Sequence, residues 1–213
     1  TSSTVNRYKQ EFAQDTKNTD LTGAIKGKDV FIGVSVRNVL SKDMVRSMNT
    51  DPIVFAVANP IPEIMPENAI EAGAFVVGSG RSDYDNQVNN SLGFPGIFRA
   101  ALDTRSHTVN QAMKIAASRA IASLASEPFP EDIKSILVNA YPNDAKRGLF
   151  DKKNPLDRAY VIPKQFDLRV VPRVAKYVAK AAMETGVAKI QIEDFDAYEK
   201  SVFDRVKKNW YEK

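Results

Sequence analysis

Residues 52–58, PIVFAVA, form an unbroken apolar run with β-branched and aromatic members. The run lacks polar alternation, so it suits a strand covered on both faces, as in a parallel sheet. It stops at Asn59-Pro60, a turn dipeptide whose proline disfavours helix at Asn59. Pro66 is placed to open a short helix and Gly73 to close it. Residues 74–77 then read as the next strand, running out into Gly78-Ser79-Gly80. An earlier run, Val30 to Val34, has the same character and ends at Ser35-Val36-Arg37-Asn38. Strands alternating with short helices predict an α/β fold with right-handed βαβ connections and a parallel sheet. Ligands of such sheets sit beyond the carboxyl ends of the strands. Asn59 and the loop from Gly78 to Asn90 fall there, so this stretch locates a site.

Helices are expected around this frame. Residues 1–16 predict a short amphipathic helix with Val5, Tyr8 and Phe12 on one face. Asp20 can cap a helix ending near Gly27, and Ser41 one carrying Asp43 in its first turn. Residues 90–102 predict a helix that Pro95 and Gly96 kink or delay. Thr108-x-x-Gln111 has the form of a capping box before the apolar face of Val109, Met113, Ala117, Ala120, Ile121 and Leu124. Residues 131–166 read as mainly irregular, with a short helix near Asp132 to Val138. Asp167 is expected to cap a long helix ending at Gly186, with Pro172 in its first turn, and Asp194 begins a last one.

Several functions are disfavoured at once. The chain of 213 residues has no cysteine and one histidine, which rules out disulfides, thiolate catalysis and histidine-rich metal sites. A net charge of +4, spread along the chain, gives no nucleic-acid footprint. No run of about 18 apolar residues is present, so no membrane helix is expected, nor does the sequence offer a signal peptide. The start at Thr1 fits methionine removal or a piece of a longer protein.

The candidate chemistry is confined to the strand ends. Gly78-Ser79-Gly80 begins like a dinucleotide fingerprint, but Asp83 stands where its third glycine would be, so a plain βα loop is the simpler reading. Asn89-Asn90 offers two amides that can donate to a carboxylate or accept from a carboxamide, or else cap a helix. Asn59 can bind a ligand or close an Asx-turn. Arg81 could meet an anion, although an exposed loop arginine usually contributes little. His107 reads as a surface residue, and Tyr198 and Trp210 as packing residues. No acidic cluster has a metal pattern.

At DVFIGVS (29–35), PIVFAVANPIPEIMP (52–66), GSGRSDYDNQVNNSLGFPGIFRAALD (78–103) and MKIAASRAIASLA (113–125) the chain resembles malic enzymes of the bacterial type. VIPKQFDLRV (161–170) and AKAAMETGVA (179–188) resemble the C-terminal part of the same family. The resemblance implies oxidation of L-malate by NAD or NADP and decarboxylation to pyruvate, with a divalent metal, Mg or Mn. It implies that Asn89 and Asn90 hold substrate, and that Ser35, Asn59, Gly78, Gly80 and Asn89 border the cofactor. The tyrosine, the lysine, the acidic metal ligands and the pyrophosphate turn of that family have no counterpart here. The expected fold is thus a partial Rossmann-type parallel sheet with flanking helices, then a mostly helical extension. Residues 1–125 would be the distal half of the cofactor domain and 126–213 the extension. No catalytic residue and no metal ligand are expected in this chain, which would be inactive without an N-terminal portion. Such a sheet would expose an edge and an apolar face. A cytoplasmic homo-oligomer is expected, with no nucleic acid and no membrane as partner. The rival expectation is a non-catalytic nucleotide- or effector-binding or oligomerisation module of the same fold. Val36-Arg37-Asn38 departs from the small residues of related sequences, so Arg37 would contact a phosphate or narrow the cleft.

Overall fold

The computed structural model describes residues 7–18 and 20–210. Three strands, β1 (Val30–Gly33), β2 (Ile53–Ala56) and β3 (Val76–Ser79), form a parallel sheet in the order β1-β2-β3. The helices are α1 (Arg7–Gln10), α2 (Leu21–Ile25), α3 (Lys42–Arg46), α4 (Pro66–Glu71), α5 (Phe94–Asp103), α6 (Gln111–Leu124), α7 (Glu131–Ala140), α8 (Pro142–Lys146), α9 (Val170–Glu184) and α10 (Phe195–Trp210). This is the α/β arrangement of a partial Rossmann-type sheet.

Local chemistry sets most of these boundaries. Asp20 accepts from the Gly23 amide at 2.8 Å and Ser41 from the Met44 amide at 3.2 Å, so both cap as expected. Gly73 and Gly186 end α4 and α9 with φ of 102° and 71°, where a side chain would be strained. Asp194 accepts from the Asp196 and Ala197 amides, both at 2.9 Å, and starts α10.

Other expectations need correction. Asn110, not Thr108, caps α6: its Oδ1 accepts from the Met113 amide at 3.0 Å, because the first helical residue is Gln111. The short helix expected near Asp132 to Val138 is α7, but residues 131–166 are more helical than expected, since α7 runs to Ala140 and Pro142 stands in the first turn of α8. Asp167 accepts from the Arg169 amide at 3.0 Å and clasps the Arg169 guanidinium, so it shapes the turn before α9 without capping it. Gly78 and Ser79 belong to β3, not to the loop, because they pair with Phe55 and Ala56. A 3-10 turn at Asn90–Leu92 precedes α5, so Pro95 delays the helix rather than kinking it. Phe12 is exposed and Val5 lies outside the described residues, while Trp210 is 55% exposed rather than packed.

Two apolar clusters hold the chain together. The first lies under one face of the sheet and includes Ile25, Leu40, Val45, Val54, Ala56 and Val77. The second spans Leu92 to Val206, so α5 and α6 share a core with α9 and α10 across residue 125. Gly96 lets α5 and α9 approach: a Cβ there would stand 2.6 Å from Val174 Cβ and 2.9 Å from the Val171 carbonyl oxygen.

The other face of the sheet is uncovered toward its β1 edge, so the run Val30 to Val34, expected to be covered on both faces, is covered on one only. Ile32 is 65% and Val34 80% exposed, and Val30 is also exposed. Their neighbours across the register, Ile53 and Phe55, are half-buried. Phe94, Phe98 and Leu102 form a second exposed apolar stripe along α5.

The α9–α10 contact carries a pH-dependent ion-pair network. Arg173 donates to Glu199 at 2.7 Å and Lys176 donates to its other oxygen at 2.9 Å. Burial pushes the Glu199 carboxyl upward, but the hydrogen bonds from Arg173 and Lys176 outweigh it and leave the pKa below the ordinary value. Because the folded pKa is depressed, this stabilisation is present above the unfolded pKa of about 4.3 and is lost as pH falls through the folded value. Melting curves from pH 7 to pH 3 should show a lower Tm for Glu199→Gln at neutral pH and a gap that closes in acid. A constant gap would contradict this linkage.

Candidate active site at the strand ends

The carboxyl ends of β1 and β2 meet at Glu63. This residue is fully buried, and its two oxygens accept from the Ser35 amide at 2.8 Å and the Ala58 amide at 3.1 Å. The Glu63 carbonyl also accepts from the Leu40 amide at 3.0 Å. Its carboxyl group occupies the space that a side chain at Gly33 would need, with Glu63 Cδ 2.5 Å from where that Cβ would lie. One acidic residue thus fixes where the chain leaves β1 and β2. The sequence reading missed it, although a carboxylate inside the apolar IPEIM stretch was the available signal.

Asn59 and Gly80 are brought together. The Asn59 amide nitrogen lies 2.9 Å from the position of a Gly80 Cβ, so glycine there makes room for the asparagine. Asn59 is exposed beside a cis peptide to Pro60. Gly78 is buried, and the room its missing side chain leaves is filled by Phe55 and Val88, at 2.7 and 2.9 Å from the ideal Cβ. Ser35 is exposed next to Val36 and Arg37, with Asn38 in the left-handed region at φ 58°.

The asparagine pair follows on the same side of the sheet. The chain returns to β3 through the Ser79↔Gln87 bridge, and the Val88 amide donates to the Ser79 carbonyl at 2.7 Å. Asn89 Oδ1 accepts from the Ser91 amide at 2.9 Å, which makes it a cap and turns its NH2 group into the part left for a ligand. Asn90 is exposed and borders a cavity of about 500 Å³ whose walls include Ser91, Phe94, Phe166 and Trp210. Trp210 therefore faces this cavity rather than a core.

The remaining candidates are occupied elsewhere. Arg81 donates to both oxygens of Asp83, at 2.9 and 2.7 Å, and lies 5.4 Å from the Tyr84 ring centre. These contacts raise its pKa and lower that of Asp83. His107 is exposed. Tyr198 donates to Asp103 at 2.9 Å, a packing role. Among the described residues no group of three His, Asp or Glu could hold a metal ion, so a metal does not fit these residues and no step is assigned to one. The amides of Asn59, Asn89 and Asn90 do fit a carboxamide or a carboxylate, the groups that nicotinamide and a dicarboxylic acid present. No described helix is long and apolar enough to cross a membrane.

A parallel sheet with exposed amides beyond its carboxyl ends is part of an α/β domain with a ligand site at its strand ends. Residues 2–139 match the family "Malic enzyme, NAD binding domain". The chain is 52% identical over 201 residues to a bifunctional malic/malolactic enzyme of Bacillus subtilis, covering 92% of this chain and 43% of that protein. It is 49% identical over 195 residues to an NADP-dependent malic enzyme of Rhizobium meliloti, covering 91% and 24%. The crystal structure of malic enzyme from Pyrococcus horikoshii superposes with a TM-score of 0.71 at 35% identity, covering 90% of this chain and 39% of that one. This chain belongs to the malic enzyme family, and it spans less than half the length of these relatives.

Proposed function

We propose that this chain works as the distal part of a malic enzyme that converts L-malate to pyruvate and CO2 with reduction of NAD or NADP. The observation that carries the reading is the grouping at the strand ends, where the exposed Asn59 amide sits against Gly80 and the Asn89-Asn90 pair follows β3. Asn90 would donate to a malate carboxylate, and the Asn89 NH2 group to substrate or cofactor. Ser35, Asn59, Gly78 and Gly80 would border the nicotinamide side. NAD or NADP, when bound, supplies the hydride acceptor. Mg or Mn and the proton-transferring groups would come from an N-terminal portion. In that enzyme residues 1–125 would complete the cofactor domain and 126–213 would pack on it, within a cytoplasmic homo-oligomer.

The uncovered apolar face with Ile32 and Val34 supports a partner portion lying against the sheet, since such a patch is unfavourable in water. The test is malate-dependent reduction of NAD or NADP by the chain alone and after co-expression with the N-terminal portion. No turnover alone and turnover together are expected. Full turnover by the chain alone would refute the division of labour, and none in either case, with saturable binding of another effector, would favour a non-catalytic module.

A further inference from the structure

Asn86 is a buried polar residue that the site as described does not use. It is 2% exposed, and its side chain is saturated with backbone partners. Its Nδ2 donates to the Val77 carbonyl at 3.0 Å and to the Arg158 carbonyl at 2.9 Å. Its Oδ1 accepts from the Val161 amide at 2.8 Å. One amide therefore joins β3 to a segment more than 70 residues downstream. The residue sits at φ 51°, so the chain turns there, and its own carbonyl accepts from the Ser79 amide at 3.2 Å.

The neighbouring residue is held from the same side. Arg147 donates to both oxygens of Asp85, at 2.9 Å each, and also to buried Asp144. Lys164 pairs with the other Asp144 oxygen at 2.7 Å. Residues 85 and 86 are thus pinned by residues 144–164 from two directions. Three residues after Asn86 the chain reaches Asn89.

We propose that Asn86 and Arg147 are positioning residues through which residues 144–164 set the place of the Asn89-Asn90 amides at the cleft. Neither would touch substrate, since Asn86 is enclosed and Arg147 faces carboxylates. This rests on the malic enzyme reading. A displacement of about 1 Å at a binding amide can cost roughly a hundredfold in rate, so losing the Asp85 clamp has a catalytic consequence that exceeds its contribution to stability.

The test uses the complete enzyme, with the unsubstituted protein measured first. If that protein fails to reduce NAD or NADP with malate, the underlying reading has failed and this proposal with it. If it is active, Asp85→Ala is expected to lower kcat/KM for malate about tenfold or more with little change in Tm. Arg147→Ala should lower kcat/KM at least as far and also lower Tm, because it takes a partner from buried Asp144, and Arg147→Lys should recover part of the loss. The double variant should be no worse than Arg147→Ala alone, because the Asp85 contact is already lost there. Asn86→Asp, which sets a carboxylate against two carbonyl oxygens, should lose more. Unchanged kcat/KM in Arg147→Ala, or additive losses in the double variant, would overturn the proposal and leave the family activity standing.

Discussion

Asn90→Ala in the complete enzyme is expected to lower kcat/KM for malate by about one to two orders of magnitude while leaving the melting temperature unchanged. Asn90 is exposed, and its side chain makes no hydrogen bond to the described residues, so the fold does not depend on it. A hydrogen bond to a charged group contributes about 1.5–3 kcal/mol, which is roughly ten- to 150-fold in kcat/KM. The loss should fall mainly on malate, because the amide would bind a carboxylate whether or not the cofactor is bound. Asn90→Asp should be worse than alanine, since it turns a donor into a like charge facing the substrate. Asn89→Ala is the less clean experiment: its Oδ1 also caps the turn before α5, at 2.9 Å from the Ser91 amide, so stability and binding would change together. Steady-state kinetics against malate at saturating NAD or NADP would decide. A change within twofold for Asn90→Ala would remove this residue from the substrate site.

What was legible in the sequence follows from how local each feature is. The apolar runs at 30–34 and 52–58 announce strands of a parallel sheet, which need no polar alternation, but only the second is largely covered: Val30, Ile32 and Val34 stay exposed. Ser41, Asp20 and Asp194 announce helix starts because capping is decided within about four residues. Asn59, Asn89 and Asn90 could be singled out because strand-end positions follow from the order of strands and loops. The features missed were those whose partners lie far away in the chain. Glu63 reads as one more surface acid until its 28-residue reach to Ser35 is seen. Asn86 reads as a loop residue among aspartates until Val161 closes on it, 75 residues on. The helix α7 was legible in part, near Asp132 to Val138, while α8 was hidden by Pro142, since a proline stops a helix from inside but starts one from its first turn.

Glu63→Ala should be among the most destabilising single changes in the chain. It leaves the part-buried Ser35 and Ala58 amides without their acceptor and empties the space of a fully buried side chain, at up to about 1–3 kcal/mol for each orphaned group. A loss of roughly 3 kcal/mol corresponds to about 6–12 °C in Tm for a chain of this size. Glu63→Gln keeps one acceptor but aims an NH2 group at the other amide, so it should lie between alanine and the unsubstituted protein. Gly33 provides an independent check on the same contact. A Cβ at that position would stand 2.5 Å from Glu63 Cδ, so Gly33→Ala must push the carboxyl off its two amides. In the Glu63→Ala background that collision is gone, and Gly33→Ala should then be nearly neutral. Thermal melts of the two single variants and the double one measure this coupling directly. Additive losses would show that the two residues act separately. Strong coupling would mean that the ends of β1 and β2, and with them Ser35 and Asn59, are held in place by one buried side chain rather than by the sheet alone.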